Sequence, residues 1–252
     1  MTRREIMLGA AAMMAGGPVQ ASDALGPTAL VDSDHPEIRR VAASLTSGAA
    51  DDRDKATSIF RFVRDEVWFG FGRGFWNQKA SEVLALKRGY CNTKSTLFVA
   101  LLRAADIPAR QVFVEIDAAV LHGLIDPGTR YLDHSYTEVQ IGGAWIATDA
   151  YIPDPALFRA AKARTAAEGR VFGYGVHAEG ENDWNGTRAT FAQYNLNATQ
   201  PLIGRRWGVF ADMAAFYREA EETHNRLNGV LRAAFGALAA SANENAQALR
   251  KG

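Results

Sequence analysis

The sequence predicts an α+β fold, and two observations carry that expectation. Helix-patterned segments run up to Ala105, and three strand-like runs follow, the last two joined by a glycine pair. A third observation sets the functional question: the chain has a single cysteine, placed just after a glycine at the start of an apolar helix.

With 252 residues the chain can form one domain with a substantial core, or one domain and an appendage. Its 28 Lys and Arg balance 28 Asp and Glu, so there is no basic field to attract nucleic acid. One cysteine excludes an internal disulfide and any multi-cysteine zinc site. The N-terminus, "MTRREIMLGAAAMMAGGPVQASDA", orders a basic stretch, an apolar run from Ile6 to Ala15, and small residues with Val19-Gln20-Ala21 shaped like a cleavage site. The run is too short to span a membrane, which takes roughly 20 apolar residues. Thr2-Arg3-Arg4-Glu5-Ile6-Met7 resembles a twin-arginine signal. Residues 1–24 are therefore expected to be an export signal, with a periplasmic or extracellular destination and no transmembrane span.

Ser33-Asp34-His35-Pro36 supplies a cap and an early proline for a helix through Leu45. Asp51-Asp52 opens a second, carrying Ile59, Phe60, Val63 and Val67. "VWFGFGRGFWNQK" is rich in aromatics and glycines without helical spacing, and reads as a loop whose rings belong to the core or to a cleft wall. A short helix from Ala80 to Lys87 precedes Gly89, and a longer one runs from Cys91 to Ala105, ending before Asp106-Ile107-Pro108. Strands are expected at Arg110–Ile116, Tyr131–Ile141 and Ala144–Ile152, with Gly142-Gly143 as a hairpin turn. From Pro155 the pattern gives a helix to about Glu168, a polar stretch "GYGVHAEGENDWNGT", and alanine-rich helix from about Gly208 to Arg250. "HAEGEND" lacks a second histidine or a calcium loop and reads as a polar turn; Asn185 and Asn197 fit glycosylation sequons.

A helix N-terminus favours a thiolate through its unpaired amides and dipole, which makes Cys91 a candidate nucleophile. A lone cysteine is more often a small buried hydrophobe, so the argument needs partners. A two-residue loop at Gly142-Gly143 sets Asp149 opposite Tyr136, and His134 shares the face of Tyr136. His134 and Asp149 then become diagonal neighbours, about 7–8 Å apart at the backbone. Of five histidines, at positions 35, 122, 134, 177 and 224, only His134 gains a carboxylate from a predicted register.

"GYCNTKSTLFVALLRAADIPAR" followed by "HSYTEVQIGGAWIATD" resembles the bacterial transglutaminase-like superfamily, over about Asp51 to Asp154. The resemblance implies a papain-like core in which Cys91 is the nucleophile, His134 the general base and acid, and Asp149 the residue orienting the imidazole. It also implies an acyl-enzyme, resolved by water in a peptidase or amidase or by a primary amine in transamidation. Asp106 stands where many relatives have glycine, and Ser135-Tyr136 replaces a small residue and Trp. The side chain assisting the oxyanion stays open among Trp68, Trp76 and Gln78. The expected organisation is an export signal at 1–24, a catalytic core at 25–154 and a mostly helical extension at 155–252. The expected partner is a peptide or protein amide, from the envelope if the chain is exported. No cofactor or metal is expected. The rival expectation is a non-catalytic peptide- or protein-binding module on the same fold.

Overall fold

A computed structural model describes residues 24–72, 74–194, 202–219 and 229–251. The export segment expected at 1–24 lies outside them save for Ala24, as do His224 and the Asn197 sequon. Helix α1, Pro36–Thr46, starts at His35, whose Nδ1 accepts from Glu37 N at 3.2 Å. Helix α2, Asp52–Glu66, starts at Asp51, whose side chain accepts from Asp54 N at 2.9 Å. Both caps satisfy amides that a helix start leaves unpaired. Two short parallel strands, β1 (Trp68–Phe69) and β2 (Arg88–Gly89), flank helix α3, Ala80–Leu86, and lead into α4, Cys91–Ala104. Every residue of α4 from Asn92 to Arg103 is buried, so α4 is a central helix and not an amphipathic surface one. Asp106 takes φ 62° just beyond it, a left-handed turn that glycine favours and aspartate tolerates, which explains the departure at this position.

Strands β3 (Ala109–Asp117), β4 (Tyr131–Ile141) and β5 (Ala144–Asp149) form an antiparallel meander. Gly142 and Gly143 both have positive φ, at 58° and 82°, as a two-residue hairpin loop between right-twisted strands requires. Helix α5, Pro155–Ala167, starts at Asp154; β6 (Phe172–Gly173) and β7 (Val176–His177) make a small hairpin. Beyond these the expectation of continuous helix from Gly208 is corrected: Ile203–Phe210 is strand β8, hydrogen-bonded to β3 in a sheet ordered β5-β4-β3-β8. Pairing with the free edge of β3 overrides the local pattern there. Helices α6 (Met213–Glu219) and α7 (Gly229–Lys251) follow.

One apolar cluster gathers Phe60, Phe98, Leu101 and Val139 around α4 and includes Trp184 from the polar stretch. Trp184 is fully buried, tilted on Phe60 with centroids 5.6 Å apart and edge-on to Phe98 at 6.1 Å. A second cluster holds Phe69, Tyr90, Tyr151, Phe113 and Phe216, with Phe71, Trp76 and Cys91 packed against it. Phe69, Phe71 and Trp76 of the aromatic loop thus pack with the core. Among the described residues no helix is long and apolar enough to cross a membrane.

Candidate active site

Cys91 is the first residue of α4, and the backbone explains how it gets there. A Cβ on Gly89 would lie 2.9 Å from Thr93 Oγ1 and 3.0 Å from Lys94 Cγ, so only glycine lets the chain pass this close to the helix it is entering. The Tyr90 amide donates to Thr93 Oγ1 at 3.0 Å, which closes the first turn. The backbone amides of Asn92 and of Cys91 itself favour charge on the sulfur. Cys91 is partly exposed, yet burial among protein atoms is the larger effect and pushes its thiol up to about 12. A helix terminus contributes at most about 2 kcal/mol to a nearby charge, and desolvation outweighs it here, with Asp149 and Asp133 adding repulsion.

Lys94, one turn further along α4, is fully buried and donates to the carbonyls of Val67 and Ile152, the latter at 2.6 Å. It ties the segment after α2 to the segment after Asp149. A neutral amine has two N–H donors for these two acceptors, whereas the charged form carries a third. Burial lowers its pKa to about 7 from 10.5. Between those values the unfolded chain binds the extra proton, so this group makes stability rise with pH, by at most about 1.4 kcal/mol per unit. Urea unfolding from pH 7 to 10 is expected to show that slope in the native chain and not in Lys94→Met. An equal slope in both would assign it elsewhere.

The β4–β5 register places Asp149 opposite Tyr136, as a two-residue turn dictates, and His134 two residues along on the same face. Neighbouring Thr137 points the other way, to α4, with Oγ1 2.7 Å from Ser95 Oγ. His134 meets Tyr194 edge-on, with ring centroids 6.1 Å apart. Its Nε2 is buried without a hydrogen-bond partner, and burial lowers its pKa to about 3, so the imidazole is neutral. The Asp149 carboxylate accepts from Tyr151 N at 2.9 Å, Ala192 N at 2.8 Å and Gln193 N at 3.3 Å. Desolvation raises it to about 6 against the pull of those amides. Among the described residues no hydrogen bond joins His134 to Asp149 or to Cys91. The three do share one neighbour: the buried phenol of Tyr194 touches the His134 ring and feels the charges of Asp149 and Cys91.

The other described histidines have local roles. His35 caps α1, His177 Nδ1 accepts from Glu179 N at 3.0 Å, and His122 lies 3.5 Å from Glu168. Glu138, four residues beyond His134, pairs with Arg110 at 2.6 Å and locks β4 to β3 beneath the site. Of the three upstream oxyanion candidates, Trp68 is exposed under Arg250, Trp76 packs near Tyr217 at 6.0 Å, and Gln78 is buried with Oε1 unpartnered. The sequence carried no signal for the amides of Ala192 and Gln193, because any residue supplies an amide. Lys94 left none either, since it sits among Asn92, Thr93, Ser95 and Thr96 in the polar first turns of the helix.

Together the elements make an α+β core that presents a cysteine at the start of a central helix against an antiparallel sheet bearing histidine and aspartate. Residues 39–150 match the family model of the transglutaminase-like superfamily. A candidate cysteine protease from Cytophaga hutchinsonii is similar in structure, with a TM-score of 0.44, 23% identity, and coverage of 57% of this chain and 45% of that one. A candidate protease from Parabacteroides distasonis has a TM-score of 0.36 and 16% identity, covering 47% of this chain and 24% of that one. The chain therefore spans less than half the length of either. No curated protein matches.

Proposed function

We propose that the protein is a thiol-dependent amide enzyme that works through Cys91, His134 and Asp149 and an acyl-enzyme. The observation that carries the reading is the placement of the only cysteine at the first turn of a buried helix, within a transglutaminase-like core whose β4–β5 register sets His134 and Asp149 on one face. The raised thiol and the lowered imidazole make the resting pair neutral. His134 takes the thiol proton as sulfur attacks the amide carbon. The amides of Cys91 and Asn92, which already face the sulfur, serve as the oxyanion donors in this reading. Collapse returns the proton from the imidazolium to the leaving amine, and Asp149 stabilises the imidazolium while it exists. Water or a primary amine then takes the acyl group, giving hydrolysis or transamidation. With the export signal read at the N-terminus, envelope peptides or proteins are the proposed substrates.

The test is mass-spectrometric trapping of an acyl adduct on Cys91 with activated peptide esters and glutamine- or peptide-amide libraries, with and without added primary amine. An adduct that turns over supports the reading; a folded protein that acquires none from any acyl donor points to a binding module instead.

A neutral resting pair has a pH signature. Iodoacetamide alkylation of Cys91 is expected to keep rising with pH beyond 9, without the low-pH plateau of a preformed thiolate. Turnover is expected to fall as pH drops through about 6, where Asp149 takes a proton. Alkylation already level at pH 7 would show an ion pair in place of the neutral one.

A further inference from the structure

We infer that Asn243, on the C-terminal helix α7, is a positioning residue that holds the aromatic wall shut against Cys91. Its side chain grips one residue of that wall by both backbone groups: Oδ1 accepts from Phe71 N at 2.7 Å, and Nδ2 donates to Phe71 O at 3.1 Å. This is how a neighbouring strand would engage Phe71, supplied by a side chain 172 residues away in the chain. The approach depends on Gly70, where a Cβ would sit 2.8 Å from Asn243 Oδ1.

From Phe71 the contact passes to the nucleophile in two steps. The Phe71 ring stacks on Tyr90 with centroids 4.9 Å apart and on Phe75 at 5.4 Å. Tyr90 is the residue before Cys91 and the N-cap of α4. The helix that carries Asn243 is itself latched. Arg250 reaches Asp154 with Nη2 at 2.6 Å and Nε at 3.1 Å, and Nη2 also donates to Phe69 O at 3.0 Å. Asn245 Nδ2 donates to Leu124 O at 2.8 Å. Among the described residues, the buried apolar side chains of α7 near Asn243 are Ala239, Ala242 and Ala246, with Leu249 packed against the second cluster. Alanines bury little area, so these polar contacts carry much of the hold on Phe71, and Asn243 is the one that touches Phe71 directly.

The functional meaning of this clamp rests on reading Cys91 as the nucleophile, but alkylation reads the thiol directly and separates the two. The experiment compares iodoacetamide alkylation of Cys91 in the full chain, Asn243→Ala, Gly70→Ala and the double variant, with thermal melts alongside and acyl turnover measured separately. Asn243→Ala is expected to speed alkylation at pH 8 by about tenfold, equal to lowering the thiol by one pKa unit, and to move the pH profile downward. Gly70→Ala keeps Asn243 but denies it the approach, and is expected to act alike. In the double variant the clamp is already gone and the new Cβ meets only the flexible Arg88 side chain, at 3.0 Å, so its rate is expected to match Asn243→Ala without a second increment. Glu244→Ala, exposed on the same helix, is expected to alkylate as the unaltered chain does. A wild-type rate in either single variant, or additive increments in the double, overturns the clamp whatever the turnover assay shows.

Discussion

Cys91→Ala and His134→Ala are each expected to lower acyl turnover by about 10³-fold or more, since nucleophile and base act as a unit and removing one costs nearly as much as removing both. Cys91→Ala deletes one partly exposed sulfur, so its melting temperature is expected to stay within about 4 °C of the native chain. His134 is buried against Tyr194, and its removal also opens a void, so His134→Gln is the companion that separates chemistry from packing. Asp149→Asn is expected to keep a weak residue of activity while weakening the fold: its carboxylate serves amides with both oxygens, and an asparagine retains only one acceptor. Equal turnover in the Cys91 and His134 variants and the native chain would remove the catalytic reading altogether.

Trp184→Ala is expected to destabilise the protein by about 3–5 kcal/mol, the range for deleting a buried aromatic. The side chain is fully buried between Phe60 and Phe98, and its Nε1 donates to Arg188 O at 3.1 Å. The loss includes both the transfer term and the void left on α4, the helix that carries Cys91. A drop in melting temperature of at least about 6 °C is the corresponding reading. Trp184→Phe, which fills most of the space, is expected to lose less. A shift below about 2 °C for the alanine variant would mean that the stretch around Trp184 detaches at little cost and that the core of α4 is complete without it.

Both predictions draw on different kinds of legibility. The α4 start, the Gly142-Gly143 turn and the pairing of Asp149 with Tyr136 were readable because each follows from local rules: a glycine before a helix, positive φ at both turn positions, and a side-chain period of two along a strand. The helix starts at Asp51 and Pro155 were readable for the same reason, while the cap that Asp154 supplies came from the structure. Trp184 was not, because a tryptophan among glycines, aspartates and asparagines has no periodicity to say which way it turns. Strand β8 was missed because its partner β3 lies nearly a hundred residues earlier, and only pairing with that edge makes it a strand.

By itself the sequence determined the residue types, the helix start at Cys91 and the β4–β5 register that sets Asp149 opposite Tyr136 on the face of His134, since these depend on neighbours along the chain. Only the tertiary structure decided their electrostatics and their enclosure. Burial, a property of everything packed around a group, reversed the thiolate that the helix start favours, kept His134 neutral, lowered the pKa of Lys94 to about 7, and raised that of Asp149. Two of the three amides that hold Asp149 and the side chain that holds Phe71 come from residues 192, 193 and 243, which lie far along the chain from the groups they hold.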